Sequence, residues 1–191
     1  AKGVKYLLST QAADGSWHIV NGLGARPPAE ESVISRTAIC VRALRAYAPP
    51  GRAAEMSARI AKARQWLAAA TPLTNEESNM QLLGLYWSGA EAPTLAPLAS
   101  AILAAQQSDG GWRQRENLAS DAYATGQSLY AIAKAGGVSP SDAAYRRGVT
   151  FLLSTQAANG SWRVTSRSPK FQAYFNSGFP YAGDQWISAW A

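Results

Sequence analysis

The chain has 191 residues, of which 47% are apolar and 16% charged, and this composition suits one folded domain with a sizeable core. No apolar run approaches the roughly 18 residues of a membrane-spanning helix, and seven Trp and eight Tyr argue against disorder. The net charge of +6 comes from dispersed basic residues with no run of five, so we expect no nucleic-acid partner.

One stretch of sequence occurs twice, almost unchanged. Residues 2–19 read KGVKYLLSTQAADGSWHI, and residues 147–164 read RGVTFLLSTQAANGSWRV. A third copy of the turn, QQSDGGW, spans 106–112, and a degenerate copy without the Gln and Trp begins at Lys62. Self-similarity at a fixed period is the signature of a repeat protein. We therefore predict one repeat domain over 1–191, with units at about 1–50, 51–91, 92–138 and 139–191.

Each unit is predicted to be a helical hairpin. Its first helix carries apolar residues at helical spacing, such as Val4, Leu7 and Leu8, and is rich in alanine. An Asp-Gly or Asn-Gly pair then ends this helix, because glycine adopts the left-handed conformation that a helix end needs. The Trp two residues later is expected to fold back onto the hairpin.

The second helices are predicted at about 30–47, 75–88 and 119–135, with a fourth beginning near Asp184. They carry more small residues and fewer charges than the first helices, which predicts that they form the more buried layer. Because Ala1 and Ala191 both fall inside predicted helices, we expect a domain or fragment of a longer chain. A naturally short protein is the alternative.

The pattern Gln-x-x-x-Gly-x-Trp resembles the QW motif of the squalene–hopene cyclase, oxidosqualene cyclase and protein prenyltransferase β-subunit superfamily. The preceding Lys/Arg-Gly-x-x-Tyr/Phe-Leu strengthens the likeness. The resemblance implies an all-α fold, here a partial α/α toroid of about four helical hairpins, with inner helices around a central cavity. In that family the Gln and Trp are structural, and a Gln carbonyl can satisfy free N–H groups at a helix start. The matching residues, assigned to structure, are Gln11 and Trp17, Gln106 and Trp112, and Gln156 and Trp162.

The catalytic acids of the family carry over only in part. Class II cyclases have Asp-x-Asp-Asp-Thr-Ala at the start of an inner helix, where the central acid protonates an alkene or epoxide. The third unit reads DAYATG from Asp121, so the first Asp is present but Tyr123 stands at the proton-donor position. A phenol with a reference pKa near 10 does not perform that protonation. Asp121 alone remains as a candidate in this unit, and no catalytic residue is assigned.

Glu76 and Glu77 form the acidic pair nearest to the corresponding place in the second unit. One interpretation is a surviving acid pair that faces the cavity. The other is two carboxylates in the first turn of a helix, where the helix dipole and capping after Thr74 or Asn75 favour them. We favour the second interpretation and keep both residues as candidates.

The zinc ligands of prenyltransferase β-subunits, an Asp, a Cys and a His, have no matching cluster in this sequence. Cys40 lies among apolar residues of a predicted helix and is predicted to be buried, whereas His18 follows Trp17 in a turn and is predicted to be solvated. We therefore expect no metal and no other cofactor.

Three faces of the second helices could line a cavity, because residues at i, i+4 and i+7 share a side of a helix. The faces are mixed apolar, aromatic and polar, as small-molecule pockets are, although packing of a closed core is the alternative. They comprise Tyr123, Gln127 and Tyr130; Glu76, Met80 and Leu83; and Ser35, Ile39 and Arg42.

The segment from Arg163 to Gly183 is predicted to be a long aromatic loop. Long loops without secondary structure are usually functional or disordered. We expect Phe175 and Tyr181, with Trp186 just beyond the loop, to cover the toroid mouth or a hydrophobic partner surface.

These observations favour a non-catalytic repeat domain of a larger protein that binds an apolar ligand or a protein partner. The first alternative is a divergent terpenoid cyclase fragment that acts on an isoprenoid. The second is a structural oligomerisation module, because stacked repeats need capping and four hairpins leave open edges for a second copy or a neighbouring domain. The compartment is not indicated.

Overall fold

The computed structural model describes residues 2–18, 32–165, 167, 185–187 and 190. This part of the chain is mostly helical, which confirms the all-α prediction at that level. It contains α1 (Lys2–Thr10), α2 (Val33–Tyr47), α3 (Ala53–Ala69), α4 (Asn75–Trp87), α5 (Ala92–Ala104), α6 (Ala122–Ala135) and α7 (Ala143–Thr155), with the short strands β1 (Trp112–Arg113), β2 (Ser120–Asp121), β3 (Arg163–Thr165) and β4 (Gln185–Ile187).

The even-numbered helices form a central row in which α2 packs on α4 and α4 packs on α6. The odd-numbered helices flank this row, with α3 against both α2 and α4, and α5 against both α4 and α6. α1 packs on α2, and α7 packs on α6. The central row carries most of the buried side chains, among them Val41, Leu82 and Ile132. The prediction that the second helices form the more buried layer is confirmed.

Side-chain caps set the beginnings of the central helices. Ser32 accepts hydrogen bonds from the first turn of α2, Thr74 from Glu77, and Asp121 from Ala124. An N-cap satisfies backbone N–H groups that have no partner within the helix. The helix predicted over 119–135 therefore begins later than expected, because Ser120 and Asp121 are extended in β2 before Asp121 caps α6.

The prediction of a fourth second helix from about Asp184 is wrong for the residues that are described there. Gln185–Ile187 form β4, which pairs antiparallel with β3, so that Trp186 lies opposite Val164. Asp184 itself lies outside the described residues. Val164 and Thr165 are β-branched, which favours the extended conformation, and the buried Val164 anchors this hairpin.

Three Gln–Trp turns, which are residues 11–17, 106–112 and 156–162, share one hydrogen-bond pattern. Each Trp indole N–H donates to a carbonyl ten residues earlier in the preceding helix, at Leu7, Ile102 and Leu152, over 2.7–2.8 Å. Each Gln amide nitrogen donates to the carbonyl of the turn glycine over 2.9 Å. The turns therefore fold back onto the helices that precede them, as expected for the Trp.

Two of these turns also hold the next flanking helix. The Gln11 amide donates to the Arg59 carbonyl of α3 over 3.0 Å, and the Gln106 amide donates to the Ala144 carbonyl of α7 over 2.8 Å. The Gln carbonyls accept from guanidinium groups of Arg59 and Arg147. The sequence prediction had Gln carbonyls accepting from N–H groups at a helix start. It is corrected, because at this contact the Gln amide donates to a backbone carbonyl within the flanking helix and the Gln carbonyl accepts from an arginine side chain.

The second unit lacks the Trp, and a glutamine from α4 replaces it. The Gln81 amide donates to the Leu67 carbonyl over 2.7 Å, and Leu67 matches Leu7 in the repeat. The same amide donates to the Ala70 carbonyl over 2.7 Å. The carbonyl that an indole N–H satisfies in the other units is thus satisfied here by a side chain from the central row.

None of the described helices combines the length and the hydropathy that a membrane crossing requires.

Candidate functional site

The first turns of the three central helices bring one polar side chain each to a common point. Ser35 of α2, Glu76 of α4 and Tyr123 of α6 occupy the matching position of the three units. The Tyr123 hydroxyl donates to Glu76 Oε2 over 2.8 Å, and the Ser35 hydroxyl lies 3.5 Å from Glu76 Oε1. We call Ser35, Glu76, Tyr123 and Gln127 the central cluster.

Glu76 is the buried acid of the central cluster, with only 7% of its surface exposed. Its Oε2 also accepts a hydrogen bond from the Gln127 amide over 2.5 Å. Burial raises the pKa of Glu76, although the hydrogen bonds from Tyr123 and Gln127 act in the opposite direction. The carboxyl therefore keeps its proton to a higher pH than an exposed glutamate.

A second set of polar contacts ties α4 to α6 beside the cluster. The Asn79 amide donates to Gln127 Oε1 over 3.2 Å and to the Ser128 hydroxyl over 3.0 Å. The Asn75 amide donates to the same hydroxyl over 3.1 Å. Buried amides with several partners fix rotamers, so these contacts hold the Gln127 amide toward Glu76.

Asp121 lies at the beginning of α6, where it caps the helix through Oδ1 and accepts from the Gln114 amide through Oδ2 over 2.8 Å. Burial raises the pKa of Asp121, and the positive charge of Arg167 opposes this change. The Arg167 Nε donates to Gln114 Oε1 over 2.7 Å. Asp121 is therefore occupied by capping and by the Gln114–Arg167 chain.

Glu76 and Glu77 separate in the structure, so they do not act as a pair. The Glu77 N–H donates to the Thr74 hydroxyl, and the Glu77 carboxylate accepts over 2.6 Å from the Leu73 N–H, one residue before the N–H that a capping box uses, so Glu77 is engaged in capping the start of α4. The first-turn interpretation describes Glu77, and the inward-facing interpretation describes Glu76.

An apolar groove of about 340 Å³ lies between α6 and α7. Four aromatic side chains line it together with aliphatic residues of both helices. The aromatic residues are Tyr130, Tyr145, Trp162 and Trp190, and the aliphatic residues are Leu129, Val149, Leu152 and Leu153.

The wall of the groove that α7 forms corresponds to a face of α1 that is packed against α2 in the first hairpin. Val4 and Leu8 of α1 are buried, and α1 packs on α2. Their repeat equivalents in α7 are Val149 and Leu153, and Leu153 is 66% exposed. A face that is covered in the first unit is therefore an accessible apolar wall in the fourth.

Trp190 links the groove to the central cluster. Its ring centroid is 5.7 Å from that of Tyr130, with the ring planes inclined at 54°, and its side chain hydrogen bonds to Tyr123. Arg113 pairs with Ser120 in β1–β2, and Tyr123 follows Ser120 by three residues. Arg163, the repeat equivalent of Arg113, pairs with Ile187 in β3–β4, and Trp190 follows Ile187 by three residues. The repeat match of Trp190 to Tyr123 was missed by sequence reasoning, because the loop before it differs in length.

The other predicted binding residues are placed elsewhere. Arg42 is exposed near the end of α2, with its guanidinium 4.9 Å from the Trp87 ring centroid. Trp186 lies in β4, while Phe175 and Tyr181 lie outside the described residues, so the structure leaves the expectation of an aromatic cover untested.

The lone Cys is buried and the lone His is solvent-exposed, as the sequence predicts. Cys40 is buried, and burial raises the pKa of its thiol to about 11. His18 is exposed and contacts the Ser16 hydroxyl over 2.9 Å. Among the described residues, no group of three His, Cys, Asp or Glu side chains comes close enough to hold a metal ion.

Comparison with known proteins finds no family model and no curated protein that matches this chain.

Proposed function

We propose that this chain is a QW-type helical-hairpin repeat domain, built as part of an α/α toroid, that binds an apolar small molecule without transforming it. The binding site is the groove between α6 and α7. The observation that carries the proposal is the groove's lining, in which four aromatic and four aliphatic side chains surround about 340 Å³. Sites for small apolar ligands are concave, largely apolar and bounded by few polar groups.

The polar edge of the groove suits an apolar molecule with one hydroxyl. Trp190 lines the groove and also hydrogen bonds to Tyr123 of the central cluster. A ligand lying along Tyr130 and Trp162 would bury its hydrocarbon part there and place its polar end at the edge of the groove beside Trp190. An isoprenoid alcohol combines these two properties.

The contacts of Glu76 support binding rather than catalysis. A proton donor must present its acid to the substrate, within hydrogen-bond reach of the atom that it protonates. Here Glu76 Oε2 already accepts from Tyr123 and Gln127, and Oε1 faces Ser35. The carboxyl is engaged by its own chain.

Calorimetric titration with farnesol, an isoprenoid alcohol, tests the proposal. We expect saturable binding with one site, and about tenfold weaker binding by Leu153→Gln, because an amide would be buried against the hydrocarbon. Leu153 is 66% exposed, so its replacement leaves the folded chain intact.

Leu73→Gln is the matched control, because Leu73 is 84% exposed and lies outside the groove. We expect it to bind farnesol as the unmodified chain does. Absence of farnesol binding, or equal loss in both variants, would contradict the proposal.

A divergent terpenoid cyclase is the second candidate, and one observation favours it: Glu76 is a buried acid whose pKa is raised. Product analysis after incubation with squalene separates the candidates. A cyclised product that Glu76→Gln abolishes supports a cyclase, and recovery of unchanged squalene supports a binding domain.

A further inference from the structure

We propose that this chain associates head to tail with a second copy of itself, in which α1 of one molecule docks on the Gln–Trp turn 156–162 of the next. The proposal is independent of what the groove binds. It depends on a contact that the chain already makes twice internally, and on two surfaces that match part of that contact and that none of the described residues covers.

The internal contact joins a Gln–Trp turn to the next flanking helix. In turn 106–112, a methyl group on Gly110 would lie 2.7 Å from the Arg147 carbonyl of α7, so only glycine permits this approach. Gly148 of α7 packs equally closely, since a methyl group there would lie 2.9 Å from the Trp112 ring. Turn 11–17 approaches α3 in the same manner, with Gly15 against the Lys62 carbonyl.

The first uncovered surface is the turn 156–162 itself. Gln156 and Gly160 are exposed, whereas Gly15 and Gly110 are buried by the helices that they contact. A methyl group on Gly160 would meet, among the described residues, only the Gln156 amide at 4.0 Å. The turn keeps its own hydrogen bonds, so it is folded and open.

The second uncovered surface is the matching face of α1. Gly3 is the repeat equivalent of Gly148, and a methyl group on it would meet nothing within 4 Å among the described residues. Tyr6, the equivalent of the half-buried Phe151, is 58% exposed. Lys2 is the equivalent of Arg147, and it too is exposed.

The two surfaces complement each other in sequence for the part of the contact that residues 147–155 of α7 make, whereas the Ala144 carbonyl, which accepts from the Gln106 amide, corresponds to no residue of α1. Residues 2–10 of α1 read KGVKYLLST, and the corresponding part of α7, which docks on turn 106–112, reads RGVTFLLST. Lys2 would donate to the Gln156 carbonyl as Arg147 donates to that of Gln106.

The turn that α1 would meet differs from turn 106–112 at positions that face α7. Ala158 and Asn159 replace Ser108 and Asp109, which lie beside α7, and Ser161 replaces Gly111, which is the change that adds bulk against α7. Gly111 lies against Phe151 of α7, and a methyl group on it would lie 3.0 Å from that ring, whereas turn 156–162 carries Ser161 at the same place. Turn 11–17 also carries a serine there, Ser16, which is fully buried in a turn that packs on α3. The contact therefore accommodates a serine.

A contact between two different surfaces of one chain is heterologous, and it generates a ring or an open filament rather than a two-fold dimer. Turn 156–162 of each copy then covers the Gly3 face of one neighbour. The Gly3 face of the same copy is covered by turn 156–162 of the other neighbour. We therefore expect the average mass to rise with protein concentration in sedimentation velocity.

Gly3→Leu is the primary test. The site is exposed on a helix, so leucine leaves the free chain folded, but it would collide with Trp162 of the next copy. We expect the apparent dissociation constant to rise about tenfold or more. Ser9→Leu is the control, because Ser9 lies on the same helix and its equivalent, Ser154, stays exposed in α7, which makes the internal contact.

A charge exchange gives a second test. Gln156→Lys should weaken association by opposing Lys2, and adding Lys2→Glu to the same chain should restore it. A chain that stays monomeric at all concentrations would overturn the proposal and leave the turn to another occupant, such as a further hairpin. Association that Gly3→Leu does not weaken would overturn it as well.

Discussion

Glu76 shows how a repeat position acquires its own chemistry. The matching residues in the neighbouring units are Ser35 and Tyr123, which are neutral and can donate hydrogen bonds, so the one acid of the three is surrounded by donors. Burial nevertheless dominates and raises its pKa. The folded chain therefore binds a proton at Glu76 more tightly than the unfolded chain does.

The raised pKa of Glu76 predicts how stability depends on pH. A raised carboxyl pKa contributes stability that is fully present below the unfolded value and is lost as pH rises through the folded value. We expect the free energy of unfolding to fall, relative to Glu76→Gln, as the pH rises above about 4.3, the ordinary pKa of a glutamate. Each tenfold gain in proton affinity on folding corresponds to about 1.4 kcal/mol. Urea unfolding of both proteins from acidic to neutral pH measures the difference.

Glu76→Gln is a close match, because the Gln carbonyl can accept from Tyr123 and Gln127 while its amide donates to Ser35. Asp121, whose pKa is also raised, and Arg167 are present in both proteins, so their contributions cancel in the comparison. A difference that stays constant with pH, or that favours the unmodified chain at higher pH, would contradict the assignment.

At the scale of elements, the Gln–Trp turn is the joint between successive hairpins. Its glycine has two separate roles, since it holds a positive φ and it admits the next helix. Gly110 and Gly160 have nearly the same φ, +87° and +82°, but only Gly110 has a described helix against it. Replacing each of these two glycines with alanine therefore separates the free-energy cost of backbone strain from the cost of a collision with α7.

We expect Gly160→Ala to lower the free energy of unfolding by about 1–2 kcal/mol, the strain of alanine in the left-handed region. Gly110→Ala should cost at least about 1 kcal/mol more, because its methyl group must displace α7 from the 2.7 Å approach to Arg147. Denaturant unfolding of the two variants measures both costs. Equal losses would show that α7 is not held at this turn.

The hairpins were predictable because their signals are local. Apolar spacing and terminal glycines or prolines define the central helices, and the observed α2, α4 and α6 agree with the predicted ranges to within three residues wherever the structure describes them. The replacement of the missing indole by Gln81 was not predictable, because its partner Leu67 lies on another helix. The repeat pattern alone indicates only that the second unit lacks the indole that would donate to the Leu67 carbonyl.

At the scale of the whole molecule, the candidate site depends on which surfaces stay uncovered. The repeat alignment placed Ser35, Glu76 and Tyr123 at matching positions, but their convergence requires the central helices to pack side by side. The groove was missed because a fourth helix was predicted from about Asp184. The β3–β4 pairing instead leads the chain to Trp190 at the groove's edge.

The central claim is that an apolar molecule binds between α6 and α7. Two-dimensional NMR of the tryptophan indole N–H groups tests it most directly, because the chain has seven and only Trp162 and Trp190 are in the groove's described lining. On titration with farnesol, we predict saturable shifts of these two signals, while Trp17 and Trp112, which are buried within their turns, stay unchanged. Unchanged Trp162 and Trp190 signals at saturating farnesol, or shifts confined to the other indoles, would contradict the account.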